Sequence, residues 1–181
     1  SAIPLGASRV GVSRTELVAV GGPVICEVQS LFEHAIRGAE HVIYIENQYF
    51  TSRAVAEALC RRLADPSRNK LALLLVMPDG ADSPKEDFVL GDRQRAIRLL
   101  VAQVAKQHGH EFRLLMSSEA SAGAGTPATF IHSKLMIVDD EFATIGSANL
   151  TNRSLRLDRE LNVAYETRLE PAESRERLRQ D

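Results

Sequence analysis

Residues 131–149 read IHSKLMIVDDEFATIGSAN. Two apolar runs of strand length, 134–138 and 142–145, flank the turn-forming Asp139, Asp140 and Glu141, a pattern that predicts a β-hairpin. Alternate side chains of an extended strand share a face, so His132 and Lys134 project together while Ser133 and Leu135 point the other way. The second run ends in Gly146, Ser147, Ala148 and Asn149. The glycine admits close backbone approach, and the hydroxyl and amide offer hydrogen bonds to an oxyanion. The stretch is therefore a plausible phosphate cradle.

Outward from the hairpin, the preceding chain alternates strand and helix signals. Residues 8–20 carry one or two short strands and end at Gly21-Gly22-Pro23. From Val24, apolar residues at 28, 31, 32, 35 and 36 recur at helical spacing and predict an amphipathic helix stopping near Gly38. A β-branched and aromatic strand at 41–45 delivers Glu46, Asn47 and Gln48 at its C-terminal end, where open α/β sheets place ligands. Thr51 or Ser52 can cap the next helix, which runs to about Ala64. The unbroken apolar run 71–77 predicts a central strand covered on both faces.

A polar connection at 78–84 then leads into a helix over 88–107 that Gly109 can end. Residues 111–116 predict another strand, and the Ser, Ala, Gly and Pro content of 117–129 predicts a flexible loop that either gates the motif or simply connects elements. Residues 150–158 are polar and irregular, 160–165 alternate as a strand, and Pro171 starts a short terminal helix. The expected fold class is α/β, a mixed β-sheet flanked by helices in a single lobe.

The 181 residues suit one domain spanning 1–181, and 44% hydrophobic content supports a globular core. The formal charge of −2, from 22 basic and 24 acidic residues, offers no global positive field for nucleic acid or an anionic membrane. Any such contact must be local. Arg153, Arg156 and Arg159 are the nearest candidates for an anionic headgroup, although solvated surface arginines fit them as well. Cys26 and Cys60 have no cysteine or histidine at metal-ligand spacing and read as buried thiols. No apolar run approaches the roughly 18 residues of a membrane span. A soluble domain is expected, cytoplasmic or membrane-peripheral in a bacterium.

The pattern His132-x-Lys134-x4-Asp139-x6-Gly146-Ser147-x-Asn149 resembles the HKD motif of the phospholipase D superfamily. IENQYF at 45–50 is similar to a segment of true phospholipases D, and 10–15 resembles the strand opening their second half. The resemblance implies that His132 is one of two active-site histidines, that Lys134 and Asn149 hold the phosphate with help from Ser147, and that Asp139 is structural. It also implies a reaction through phosphohistidine, with no cofactor and no metal, and a phospholipid substrate.

Phosphodiester cleavage of this kind needs a nucleophile on one side of phosphorus and a general acid on the other, and one imidazole cannot occupy both positions. His34, His41, His108 and His110 all lack a lysine two residues later, so the chain holds one HKD motif where the family unites two. The expected partner is accordingly a second HKD half, either a missing N-terminal half or a second copy. A half of this kind is expected to expose an apolar face. Glu160 is the candidate to orient the imidazole through its other nitrogen, or else a surface partner of Arg159 or Arg156. Asn47 and Gln48 fit substrate contacts at the pocket rim or turn caps. A homodimeric nuclease and a non-catalytic half-domain stand as alternatives. Neutral charge and IENQYF argue against nucleic acid.

Overall fold

The computed structural model describes residues 9–17, 22–78, 90–117 and 130–166. The connection expected over 78–84 beyond Pro78, the start of the helix expected over 88–107, the loop expected over 117–129 beyond Ser117, and the helix expected from Pro171 lie outside these residues.

The chain order is β1 (Arg9–Leu17), β2 (Val24–Cys26), α1 (Glu27–Gly38), β3 (Val42–Asn47), α2 (Arg53–Ala64), β4 (Ala72–Pro78), α3 (Asp92–Gln107), β5 (Glu111–Ser117), β6 (Lys134–Val138), β7 (Phe142–Gly146), α4 (Asn152–Arg156) and β8 (Glu160–Glu166). One eight-stranded sheet runs β2-β1-β8-β7-β6-β3-β4-β5. The β3-β4-β5 side is parallel, as strands joined through helices must be, and the remaining pairs are antiparallel. The sheet is thus mixed, in agreement with the expected class. Among the described residues no helix is long and apolar enough to cross a membrane.

Period-two burial defines one covered face. Ile43 and Ile45 of β3, Leu73, Leu75 and Met77 of β4, and Met136 and Val138 of β6 are buried, and they join Val28, Phe32 and Ile36 of α1 with Val55, Leu59 and Leu63 of α2 in one core. The opposite face is more open: Val10 is 56% exposed, Val12 62%, Leu115 52%, Ile145 50% and Leu161 53%. This departs from the expectation for 71–77. β4 buries alternate residues, and Ala72, Leu74 and Val76 are half-buried among the described residues.

Two local expectations shift. Val24 to Cys26 pair with β1 as a strand, so α1 begins three residues later than its apolar spacing predicts. The polar segment 150–158 holds α4, capped by Thr151 Oγ1, which accepts from Ser154 N at 3.1 Å. Ser52 caps α2, accepting from Val55 N, and Gly109 ends the helix expected at 107 with φ 70.

Asp139 sits in the β6-β7 turn with φ 53, a left-handed conformation that aspartate tolerates. Its two carboxylate oxygens accept from three backbone amides, Glu40 N at 2.9 Å, His41 N at 2.8 Å and Val42 N at 2.9 Å. The hairpin turn is thereby fastened to the α1-β3 connection. Asp139→Ala orphans three donors, so unfolding free energy should fall by about 2–4 kcal/mol, read as a lower urea midpoint at unchanged slope.

His110 performs a comparable task at the other side. Its Nδ1 accepts from Leu71 N at 2.8 Å, which leaves the proton on Nε2 to donate to Leu63 O at 2.8 Å. Burial holds its pKa below the ordinary 6.5. A histidine kept neutral in the fold contributes stability above 6.5 that is lost as pH falls through that value. The His110 ring should therefore titrate below 6.5 in an NMR pH series while the urea midpoint declines over the same range.

Candidate active site

Lys134 opens β6 directly across the ladder from Asn47, the last residue of β3. Both side chains point to the helix-covered face, and both are buried. A buried ammonium needs acceptors. Lys134 Nζ donates to Gln48 Oε1 at 3.2 Å and to the His132 carbonyl at 2.6 Å, while Gln48 Nε2 donates to the Tyr49 hydroxyl at 3.3 Å. Gln48 therefore positions the motif lysine. Asn47 acts differently: its Oδ1 accepts from Tyr49 N at 3.2 Å and Leu150 N at 3.3 Å, tying the turn after β3 to the chain just beyond Asn149. Between the two expectations for Asn47, its oxygen follows the turn-capping one.

His132 precedes the strand with its imidazole exposed and stacked on Phe130, ring centroids 5.7 Å apart at 17°. Ser133 faces the other side of the sheet, where its hydroxyl donates to Glu46 Oε1. Glu46 Oε2 accepts from the Tyr44 hydroxyl at 2.6 Å. Tyr44 and Glu46 share a face by strand alternation, and this link braces the strand entry between His132 and Lys134.

The second arm follows β7. Gly146 lies opposite Asn162, and a Cβ there would overlap the Leu161 carbonyl and the Asn162 side chain. Only glycine fits this approach. Ser147 Oγ donates to Glu160 Oε2 at 2.5 Å and accepts from Leu161 N at 3.1 Å. Glu160 is thus engaged by Ser147; among the described residues no hydrogen bond joins it to His132. Nor do the arginines expected as its surface partners reach it: Arg156 Nε donates to Gln29 Oε1 at 3.0 Å, and Arg159 lies 3.9 Å from Glu16. Among the described residues, Asn149 Oδ1 is buried with no partner. A buried amide atom left unsatisfied suits a polar ligand. Asn149 also lines an open depression of ≈ 720 Å³ with Tyr49, Arg93 and Arg153, beside the strand ends that carry Lys134.

Arg153 is paired with Asp158 at 2.8 Å and exposed. Arg93, which donates to Thr51 O at 3.1 Å, was not singled out by the sequence, where it is one charge among several on a helix. The Ser133-Glu46 link was equally invisible, since it joins residues 87 positions apart. The one available signal was a glutamate ending an apolar strand two residues after a tyrosine.

A mixed sheet with helices on one face, His-x-Lys entering one strand and Gly-Ser-x-Asn leaving the next, defines a phospholipase D-like α/β domain. The family model described as cardiolipin synthase, PLD-like domain, matches residues 32–181. The chain belongs to the phospholipase D superfamily. It is 28% identical over 189 residues to phospholipase D A of Dictyostelium discoideum, covering 87% of this chain and 15% of that protein. It is 31% identical over 166 residues to phospholipase D zeta 2 of Arabidopsis thaliana, covering 72% and 16%. The chain therefore spans about a sixth of the length of these relatives. Two solved structures share the fold: the phospholipase D family member Nuc of Salmonella typhimurium, TM-score 0.59 at 18% identity over 87% of this chain and 82% of that one, and phosphatidylserine synthase of Haemophilus influenzae, TM-score 0.64 at 17% identity over 94% and 38%.

Desolvation, then the hydrogen bond to Glu46, pushes the Tyr44 pKa from 10.0 up to about 12. The phenol is held protonated, so fold stability should persist to pH 10 and decline as pH rises towards 12. An alkaline absorbance titration should show one late tyrosine that is missing in Tyr44→Phe and titrates earlier in Glu46→Gln.

Proposed function

We propose that this chain supplies one half of a phosphodiesterase site that cleaves or transfers the phosphatidyl group of phospholipids. The observation that supports it most is the buried Lys134 ammonium, fixed by Gln48 and the His132 carbonyl beside an exposed imidazole. A cation already in place where negative charge develops lowers the barrier without reorganisation. Lys134 and the Asn149 amide take the nonbridging oxygens, and Ser147, held by Glu160, adds a hydroxyl.

The reaction runs in two displacements. An imidazole from the second half attacks phosphorus, forming a phosphorus-nitrogen bond as the bond to the headgroup oxygen breaks, and His132 gives that oxygen its proton. His132 then accepts the proton of water or an acceptor alcohol as that oxygen bonds to phosphorus, while the phosphorus-nitrogen bond breaks and frees the second half's imidazole. Water yields phosphatidate; an alcohol yields a new phosphatidyl ester. The scheme uses side chains alone, without metal or cofactor.

The second half is a longer protein's own N-terminal half. Coverage of 38% of the phosphatidylserine synthase chain, and of about a sixth of the curated relatives, supports this reading. The apolar open face around Val12, Ile145 and Leu161 is suited to the contact. A second reading, two identical copies acting as a homodimeric phosphodiesterase on nucleic acid, is favoured by the single motif and by the 82% coverage of Nuc.

Light scattering of the 181-residue chain, with hydrolysis of phosphatidylcholine and of a bis-ester chromogenic phosphate, separates these readings. A monomer that gains turnover only when the other half is supplied supports the first. In whichever assembly is active, His132→Ala should lower turnover by about 10²–10⁴-fold with the fold intact. Full activity in that variant would sink the catalytic reading.

A further inference from the structure

A second charged cavity lies at the opposite pole of the sheet. β3 is 6 residues long, and five steps of ~3.3 Å put its start, beside the ends of α1 and α2, roughly 17 Å from Asn47 and Lys134. The cavity has a volume of ≈ 210 Å³ and is walled by Arg37 of α1, Arg61 and Arg62 of α2, and Arg68 of the following turn, with Glu33 and Asp65.

Arg62 is only 4% exposed. Its Nε donates to Ala39 O at 2.8 Å and its Nη2 to Asn69 O at 3.0 Å, while among the described residues Nη1 is buried without a partner. A guanidinium cannot relieve this by losing its proton at physiological pH. Burial, and then the neighbouring Arg68 charge, depress its pKa, as expected of positive charge in excess of its compensation. Two acids, Glu33 and Asp65, line the cavity against four arginines, and both meet neutral donors. Asp65 accepts from Ser67 N at 2.9 Å and Ser67 Oγ at 2.6 Å, and Glu33 accepts from Gln29 Nε2 at 2.8 Å. Glu40 pairs with Arg68 at 2.5 Å, Asp139 is spent on three amides, and Arg61 reaches Glu57 only at 3.8 Å.

We propose that this cavity binds a phosphoryl oxyanion carried by a phosphomonoester, at a site separate from the His132 centre. Guanidinium groups line it from three elements. Arg68 donates to the Arg37, Gly38 and Ala39 carbonyls and to Glu40, and Arg37 Nη2 lies 3.1 Å from His34 Nδ1, so a ligand draws on the remaining donors of Arg37, Arg61 and Arg62. That arrangement matches a tetrahedral, multiply charged group better than a planar carboxylate, which one fork would satisfy. The phosphomonoester is either a soluble metabolite or the headgroup of a phosphatidate-type lipid. The proposal does not depend on the reaction assigned to His132.

The test is titration of the 181-residue chain with inorganic phosphate at constant ionic strength, read from the arginine Nε resonances. A saturable response at Arg62 is expected, retained in Lys134→Ala and weakened at least tenfold in Arg37→Ala/Arg61→Ala, whose side chains sit at the rim. Co-sedimentation with phosphatidylcholine vesicles, with and without phosphatidate, then identifies the source. Recruitment by phosphatidate that the double variant loses marks a lipid headgroup; recruitment by neither vesicle leaves a soluble phosphomonoester. No saturable response, an equal response in the double variant, or a response lost in Lys134→Ala instead would overturn the proposal.

Discussion

A lysine ammonium taken out of water must find acceptors, and much of the site follows from how Lys134 finds them. Its position opposite Asn47 makes the β3-β6 ladder the frame of the site, so the distance between IENQYF and the motif is set by sheet hydrogen bonds. Gln48 and the His132 carbonyl complete its coordination. The second contact links the buried ammonium to the backbone of the residue whose imidazole is exposed. Exposure of His132 beside a buried Lys134 is one arrangement seen from two sides.

That frame is held at both ends of the hairpin by constraints that leave little freedom. Asp139 anchors the turn end to three amides of the α1-β3 connection. Gly146 lets the other end pass against Leu161 and Asn162, and Ser147 then continues the pairing through its backbone amide to Leu161 O at 3.0 Å. The residues between these points, Met136, Val138 and Thr144, are buried; the two apolar ones tolerate side chains of similar volume, whereas Thr144 also donates its hydroxyl to Val163 O at 3.0 Å. Motif spacing is therefore a statement about strand length: four residues cross the sheet from the lysine to the turn, and six return to the glycine.

This explains what the sequence could tell. Strands β3, β6 and β7 were legible because β-branched runs ended at turn residues, and the motif positions were legible because their spacing is fixed by the hairpin. β2 was not, since Val24 and Val28 stand one helical turn apart and the pairing that claims Val24 for β1 is non-local. α4 was missed for the opposite reason: five residues are too few for a periodic signal, and its cap at Thr151 needs no hydrophobic stripe. Apolar continuity at 71–77 suggested cover on both faces, yet the same composition serves a strand whose outward residues are half-buried. Site roles that depend on distant partners, Glu46 with Ser133 and Glu160 with Ser147, lay beyond any local pattern.

The open sheet face and the single motif bear on one another. The proposed in-line displacement at phosphorus would place the attacking atom and the leaving oxygen on opposite sides, with the proposed second imidazole approaching from across the substrate. On that proposal a separate half would bring it there by packing against this one. Val10, Val12, Leu115, Ile145 and Leu161 lie on the sheet face turned away from α1 and α2, and they span strands from both sides of the sheet. If the proposed half packs on that face, burying it would remove apolar area from water and orient the two motifs in the same step. Stability of the proposed assembly and alignment of its chemistry would then have a common origin in the sheet face that α1 and α2 leave open.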